Sequence, residues 1–74
     1  MVMSKTLRIE HPIKVNDKSL YAKIKRVMAG MYKISVYYGN EHLADGTVRA
    51  TSFRQLINIT RMELEKFLAE ILRK

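Results

Sequence analysis

From Leu20 to Met28 the chain alternates, with Leu20, Ala22, Ile24, Arg26 and Met28 at even positions and Tyr21, Lys23, Lys25 and Val27 at odd ones. This period-2 pattern predicts a strand whose even side is buried. Met31 to Tyr38 repeats it, with Tyr32, Ile34, Val36 and Tyr38 set against Lys33, Ser35 and Tyr37. Ala29-Gly30 separates the two runs, so they read as a hairpin. A two-residue loop would put Ile24 on the same face as Lys33 and Ser35. A three-residue loop, Ala29-Gly30-Met31, with Gly30 near the position that needs positive φ, instead aligns Ala22, Ile24 and Met28 with Tyr38, Val36 and Tyr32. That register is the one expected. It gathers Tyr21, Lys23, Lys25, Lys33, Ser35 and Tyr37 on the opposite face.

Around this hairpin the elements are shorter. Thr6 to His11 reads as a first strand, Pro12 as an edge or break, and Asn16-Asp17-Lys18-Ser19 as a turn. Gly39 to Gly46 reads as a polar loop in which Asp45-Gly46 marks a turn, and Thr47 to Thr51 as a further short strand. In Phe53 to Thr60, Gln55, Ile57 and Ile59 alternate with Arg54, Leu56 and Asn58, and the β-branched content favours a strand. Ser52 with Gln55 also fits a helix capping box there. Thr60-Arg61-Met62-Glu63 is a second such box, followed at helical spacing by Leu64, Phe67, Leu68, Ile71 and Leu72. Glu63 and Glu65 near that start, with Arg73 and Lys74 at the end, suit the helix dipole. The expected fold is α+β: a small, mainly antiparallel sheet of four to five strands followed by one C-terminal amphipathic helix, residues 1–74 forming a single domain.

Charge sharpens the picture. The 74 residues carry a formal net charge of +7. Residues 1–33 hold +6 of it and residues 63–74 balance, so the basic field belongs to the sheet. A polyanion is the favoured partner class. Lysines neutralise phosphates, and exposed tyrosine rings offer surfaces for unpaired bases. A lysine-rich solvated face that discourages edge aggregation is the bland alternative. With no cysteine there is neither a disulfide framework nor a thiol zinc site, and Met1-Val2-Met3-Ser4-Lys5 has no apolar signal core. No apolar run spans a bilayer, so a cytoplasmic protein without membrane attachment is expected. A chain this short gains by self-association, and the apolar stripe of its helix is expected to pack on the sheet or against a second copy, so that a homodimer through the helix is expected.

From Lys23 the order is basic strand, Gly-containing turn, strand ending in Tyr37-Tyr38, loop with Asp45-Gly46, then Leu56-Ile57-Asn58-Ile59-Thr60-Arg61-Met62-Glu63-Leu64-Glu65-Lys66-Phe67-Leu68. Over roughly the last fifty residues this resembles the positive-cofactor-four family of single-stranded-DNA-binding transcriptional coactivators. The resemblance implies a dimer whose helices pack together while the sheets present a groove to unpaired strands. It places Lys23, Lys25, Lys33 and Tyr37 among the sheet contacts, with Arg49 and Arg54 on the following strands. The chain departs from the family at Arg49-Ala50-Thr51-Ser52-Phe53-Arg54, where the family is rich in glycine and lysine. The order also resembles small archaeal chromatin proteins with an SH3-like barrel, in which Val27, Met28 or Met31 would be wedges for a duplex minor groove.

Catalysis is not expected. His42 lies between Glu41 and Asp45, a weak potential metal set that is more simply solvated, and His11 has no evident partner in the sequence. Ser35 and Ser52 lack an identifiable base, and no phosphate-cradling glycine motif exists. No cofactor and no metal are implied. The function expected is non-catalytic binding of DNA rather than RNA, single-stranded in particular, with a role in transcription or replication. Lys23, Lys25, Lys33, Arg49 and Arg54 would contact phosphates, and Tyr21 and Tyr37 would stack. A small module or inhibitor that binds an acidic protein is the alternative.

Overall fold

The computed structural model describes residues 6–73; Met1–Lys5, expected to lack an apolar signal core, and Lys74, expected as a base at the helix end, lie outside the described residues. Four strands, β1 (Thr6–Glu10), β2 (Leu20–Met28), β3 (Met31–Tyr38) and β4 (Glu41–Arg49), precede one helix, α1 (Phe53–Arg73). The strands form one sheet in the order β1-β2-β3-β4, every neighbouring pair antiparallel. The α+β arrangement is the one the sequence predicts. None of the helices among the described residues is long and apolar enough to cross a membrane.

The hairpin faces follow the alternation, but not its expected register. Ala22 pairs with Val36 and Ile24 with Ile34, two residues away from the expected partners Tyr38 and Val36. The turn is the two-residue Ala29-Gly30, with Gly30 at φ 76°, and Met28 faces Met31. Alone it would exchange the faces. An irregularity between Arg26 and Met28 inserts Val27 as one extra residue on β2 and restores the parity. Beyond this bulge Met28 leaves the core side, where the alternation had placed it, and is 57% exposed.

β4 corrects the expected Gly39–Gly46 loop. The chain reverses at Gly39-Asn40, Gly39 adopts φ 63°, and Asp45-Gly46 lies inside the strand with Gly46 paired to Ile34. An earlier glycine supplied the left-handed residue, after which Ala44 and Val48 pair with Val36 and Tyr32 on the core side. Of the expected strand Thr47–Thr51, only Thr47–Arg49 is in β4. The Asn16-Asp17 turn stands as read: both residues have positive φ, and Val15 and Lys18 exchange backbone hydrogen bonds of 3.1 and 2.9 Å.

Phe53–Thr60 is helix, not strand. The Gln55 N–H donates to Ser52 Oγ at 3.1 Å, and Gln55 Oε1 accepts from the Thr51 N–H at 2.7 Å, so the Ser52 cap wins. Thr60 is no cap at all. It sits mid-helix at 0% exposure, its hydroxyl donating to the Leu56 carbonyl at 2.8 Å. Leu56, Thr60, Leu64 and Leu68 form the buried line of α1, which lies mainly over β1 and β2. They meet Leu20, Ala22, Ile24, Ile34, Val36 and Ala50 in the core, while Leu72, expected in the apolar stripe, is exposed. Burial of this line decides the segment's state over its β-branched local preference. Ser52→Ala leaves the first turn without its side-chain acceptor and is expected to lower stability by about 1 kcal/mol, measured as a shift in urea midpoint at constant m-value.

His11 corrects a further expectation, that it lacks a partner. It is buried, its backbone N–H donates to the Leu20 carbonyl, and its Nδ1 accepts from the Ile13 N–H at 3.0 Å. That leaves Nε2 to donate to Glu65 Oε1 at 2.6 Å. The histidine therefore ties the end of β1 to α1, a structural duty.

Candidate nucleic-acid interface

The sheet face away from α1 is organised in rows by the strand register. Thr6, Lys25, Lys33 and Thr47 form one row; Arg8, Lys23, Ser35 and Asp45 the next; Glu10, Tyr21, Tyr37 and His42 the third. Arg49, paired with Met31, extends the face beyond the lysine row. Five of the sequence-predicted residues on this side, Tyr21, Lys23, Lys25, Lys33 and Tyr37, are thus brought together, with Arg49 at the margin. Arg54 is not among them. It occupies the first turn of α1, on the other side of the sheet, because the chain is already helical there.

The lysine row has no ion pair of its own among the described residues, although the Asp45 carboxylate in the next row acts on Lys33 from beyond ion-pair distance. Lys25 lies directly across from Lys33, a like-charge pairing that costs stability. The ion pairs among the described residues are Arg8–Glu10, His11–Glu65, His42–Asp45 and Lys66–Glu63, so Lys23, Lys25, Lys33 and Arg49 have no carboxylate within 4.0 Å. All four are exposed. An incoming anion would relieve the repulsion without first displacing an internal partner.

The aromatic row forms a continuous stack across all four strands. The Arg8 guanidinium carbon lies 4.0 Å from the Tyr21 ring centroid; Tyr21 and Tyr37 stack at 5.3 Å and 12°; Tyr37 meets His42 at 4.9 Å and 30°. The Lys23 ammonium adds a contact 5.2 Å from the Tyr37 centroid. Arg8 and His42 are the members that sequence reasoning missed. Arg8 follows the same alternation as Thr6 and Glu10, but no short turn fixes the register of β1 against β2. His42 was hidden by the loop reading of its segment, where it had been grouped with Glu41 and Asp45.

His42 also contacts Asp45, Nε2 to Oδ1 at 2.8 Å, while Glu41 pairs with Tyr38 on the opposite face. The Ser35 hydroxyl foremost, then the His42 imidazole, hold the exposed Asp45 carboxyl below the usual carboxylate range. A lowered folded-state pKa means that this contribution to stability is present above the ordinary Asp pKa and is lost as pH falls through the lowered value. Ser35→Ala is accordingly expected to move the Asp45 titration midpoint upward, read from its carboxyl carbon by NMR.

Protein-family models, curated proteins and solved structures were compared with the chain, and none matches. The likeness to the coactivator family gains no support from them, and function must be argued from the face itself.

Proposed function

We propose that the protein is a non-catalytic nucleic-acid-binding domain that engages phosphates through Lys23, Lys25, Lys33 and Arg49, with Arg8 at the edge of the patch. The supporting observation is the unpaired lysine row, in which Lys25 and Lys33 face each other across β2 and β3 with no carboxylate within ion-pair distance. DNA is the polymer favoured by the likeness in element order, and a role in transcription or replication goes with it. Tyrosine stacking on bases drops out of the reading, because the rings stack on their neighbours.

Fluorescence anisotropy of labelled single-stranded and duplex oligonucleotides across a salt series tests this. Binding that weakens steeply with salt supports it. No binding to either polymer at about 50 mM salt, a condition in which phosphate contacts are strong, overturns it and leaves acidic proteins as the partners to try.

A homodimer belongs to the same reading. α1 leaves the core side of β3 and β4 partly uncovered, and Ile34, Val36, Ala44, Gly46 and Phe67 line a groove there together with the acidic Asp45 and Glu63. Sedimentation equilibrium over a concentration series should give a dimer mass; a monomer throughout removes the dimer and leaves the sheet-face proposal standing.

A further inference from the structure

We infer that this face recognises the sugar-phosphate backbone alone and is blind to bases, an inference that rests on the nucleic-acid reading above. A base stacks only where an aromatic ring offers a free face. The neighbours of Tyr21 lie on β1 and β3, on opposite sides of it: the Arg8 guanidinium at 4.0 Å and the Tyr37 ring at 5.3 Å. Tyr37 is likewise flanked by Tyr21 from β2 and His42 from β4. Both central rings are therefore covered on both faces.

A base cannot wedge between them either. Tyr21 and Tyr37 are direct partners on hydrogen-bonded strands, and such strands hold a separation of about 4.8 Å. Admitting a base would require the two rings to part by well over an ångström beyond their 5.3 Å spacing, which the fixed strand separation opposes. The rings thus stand on edge, and the face turns ammonium and guanidinium groups toward its ligand. Those donors match phosphate oxygens. With base contacts removed, discrimination between sequences goes too, because phosphates carry no sequence information.

The preferred ligand class is consequently a phosphodiester chain of high charge density. Duplex DNA should bind at least as well as a single strand of equal length, since its phosphates are more closely spaced along the axis. This reverses the single-strand preference that exposed tyrosines had suggested.

The deciding experiment compares a fluorescein-labelled twenty-residue oligo-thymidine with an abasic oligomer of the same length, in which every base is replaced by a tetrahydrofuran spacer. The two should bind equally at low salt. A loss on the abasic strand of more than about fivefold, the least that one stacked base contributes, overturns the inference while nucleic-acid binding itself survives. Failure of both strands and of duplex DNA to bind overturns the underlying reading as well. Tyr37→Leu provides an independent arm, with folding checked by circular dichroism. It should retain oligo-thymidine affinity within the same fivefold limit, and a larger loss from a folded variant contradicts base-blind binding.

Discussion

Replacing Lys23, Lys25 and Lys33 together by glutamine is expected to weaken duplex binding by about 100- to 1000-fold at 0.1 M salt and to flatten the salt dependence by about 2.7 logarithmic units per decade, if each lysine releases one counterion. The same variant should fold at least as stably as the parent. Lys25 faces Lys33 directly, and removing a like-charge pair across a sheet relieves repulsion. Binding and stability should thus move in opposite directions, the signature of a charge cluster kept for a ligand rather than for the fold. Arg54→Gln is the matched control. Its side chain belongs to the first turn of α1, on the far side of the sheet, so affinity should change little. Anisotropy titrations across a salt series check both variants. An unchanged slope for the triple variant would mean that the lysine row does not touch phosphates.

Leu64→Ala should produce the largest loss of stability. Leu64 is 1% exposed and lies in the line Leu56, Thr60, Leu64 and Leu68 that fastens α1 to the sheet. Large-to-small changes at such sites cost about 2.7–5 kcal/mol through lost transfer energy and residual cavity. Domains of this size have only about 4–11 kcal/mol in total. The variant should therefore be largely unfolded at modest urea, followed by far-UV circular dichroism. Leu72→Ala, at a site 64% exposed, should shift the midpoint by no more than about 0.5 kcal/mol equivalent. Equal effects at the two positions would contradict the packing of α1 described here.

The faces of the central hairpin were legible in the sequence because period-2 alternation depends on burial, and burial survives local irregularity. The register was less so. Val27 is a bulge whose position depends on how Arg26 and Met28 meet β3, and no residue type announces it. A shift of two residues left the face assignments intact as far as the bulge, with Met28 beyond it changing sides, which is why the lysine patch was found despite a wrong pairing. The Asp45-Gly46 turn signal was overridden because Gly39-Asn40 had already reversed the chain. In Phe53–Thr60 local β-branched preference pointed one way and the Ser52 cap the other; burial of Leu56 and Thr60 against the sheet decided for helix. His11 and Glu65, fifty-four residues apart, could be joined only by the tertiary fold. Within the site, the charges could be read one residue at a time, whereas the Arg8–Tyr21–Tyr37–His42 stack required β1 and β4 to be in register.

The most direct test is an NMR titration that follows the lysine side-chain Cε–Hε signals and the tyrosine ring signals as duplex DNA is added to the protein. Shifts concentrated on Lys23, Lys25 and Lys33, with Lys66 on α1 unaffected and the Tyr21 and Tyr37 rings lacking the large upfield displacements of base stacking, are the result predicted. Shifts confined to α1, or to the groove between α1 and β4, would contradict the assignment of binding to the lysine-bearing sheet face.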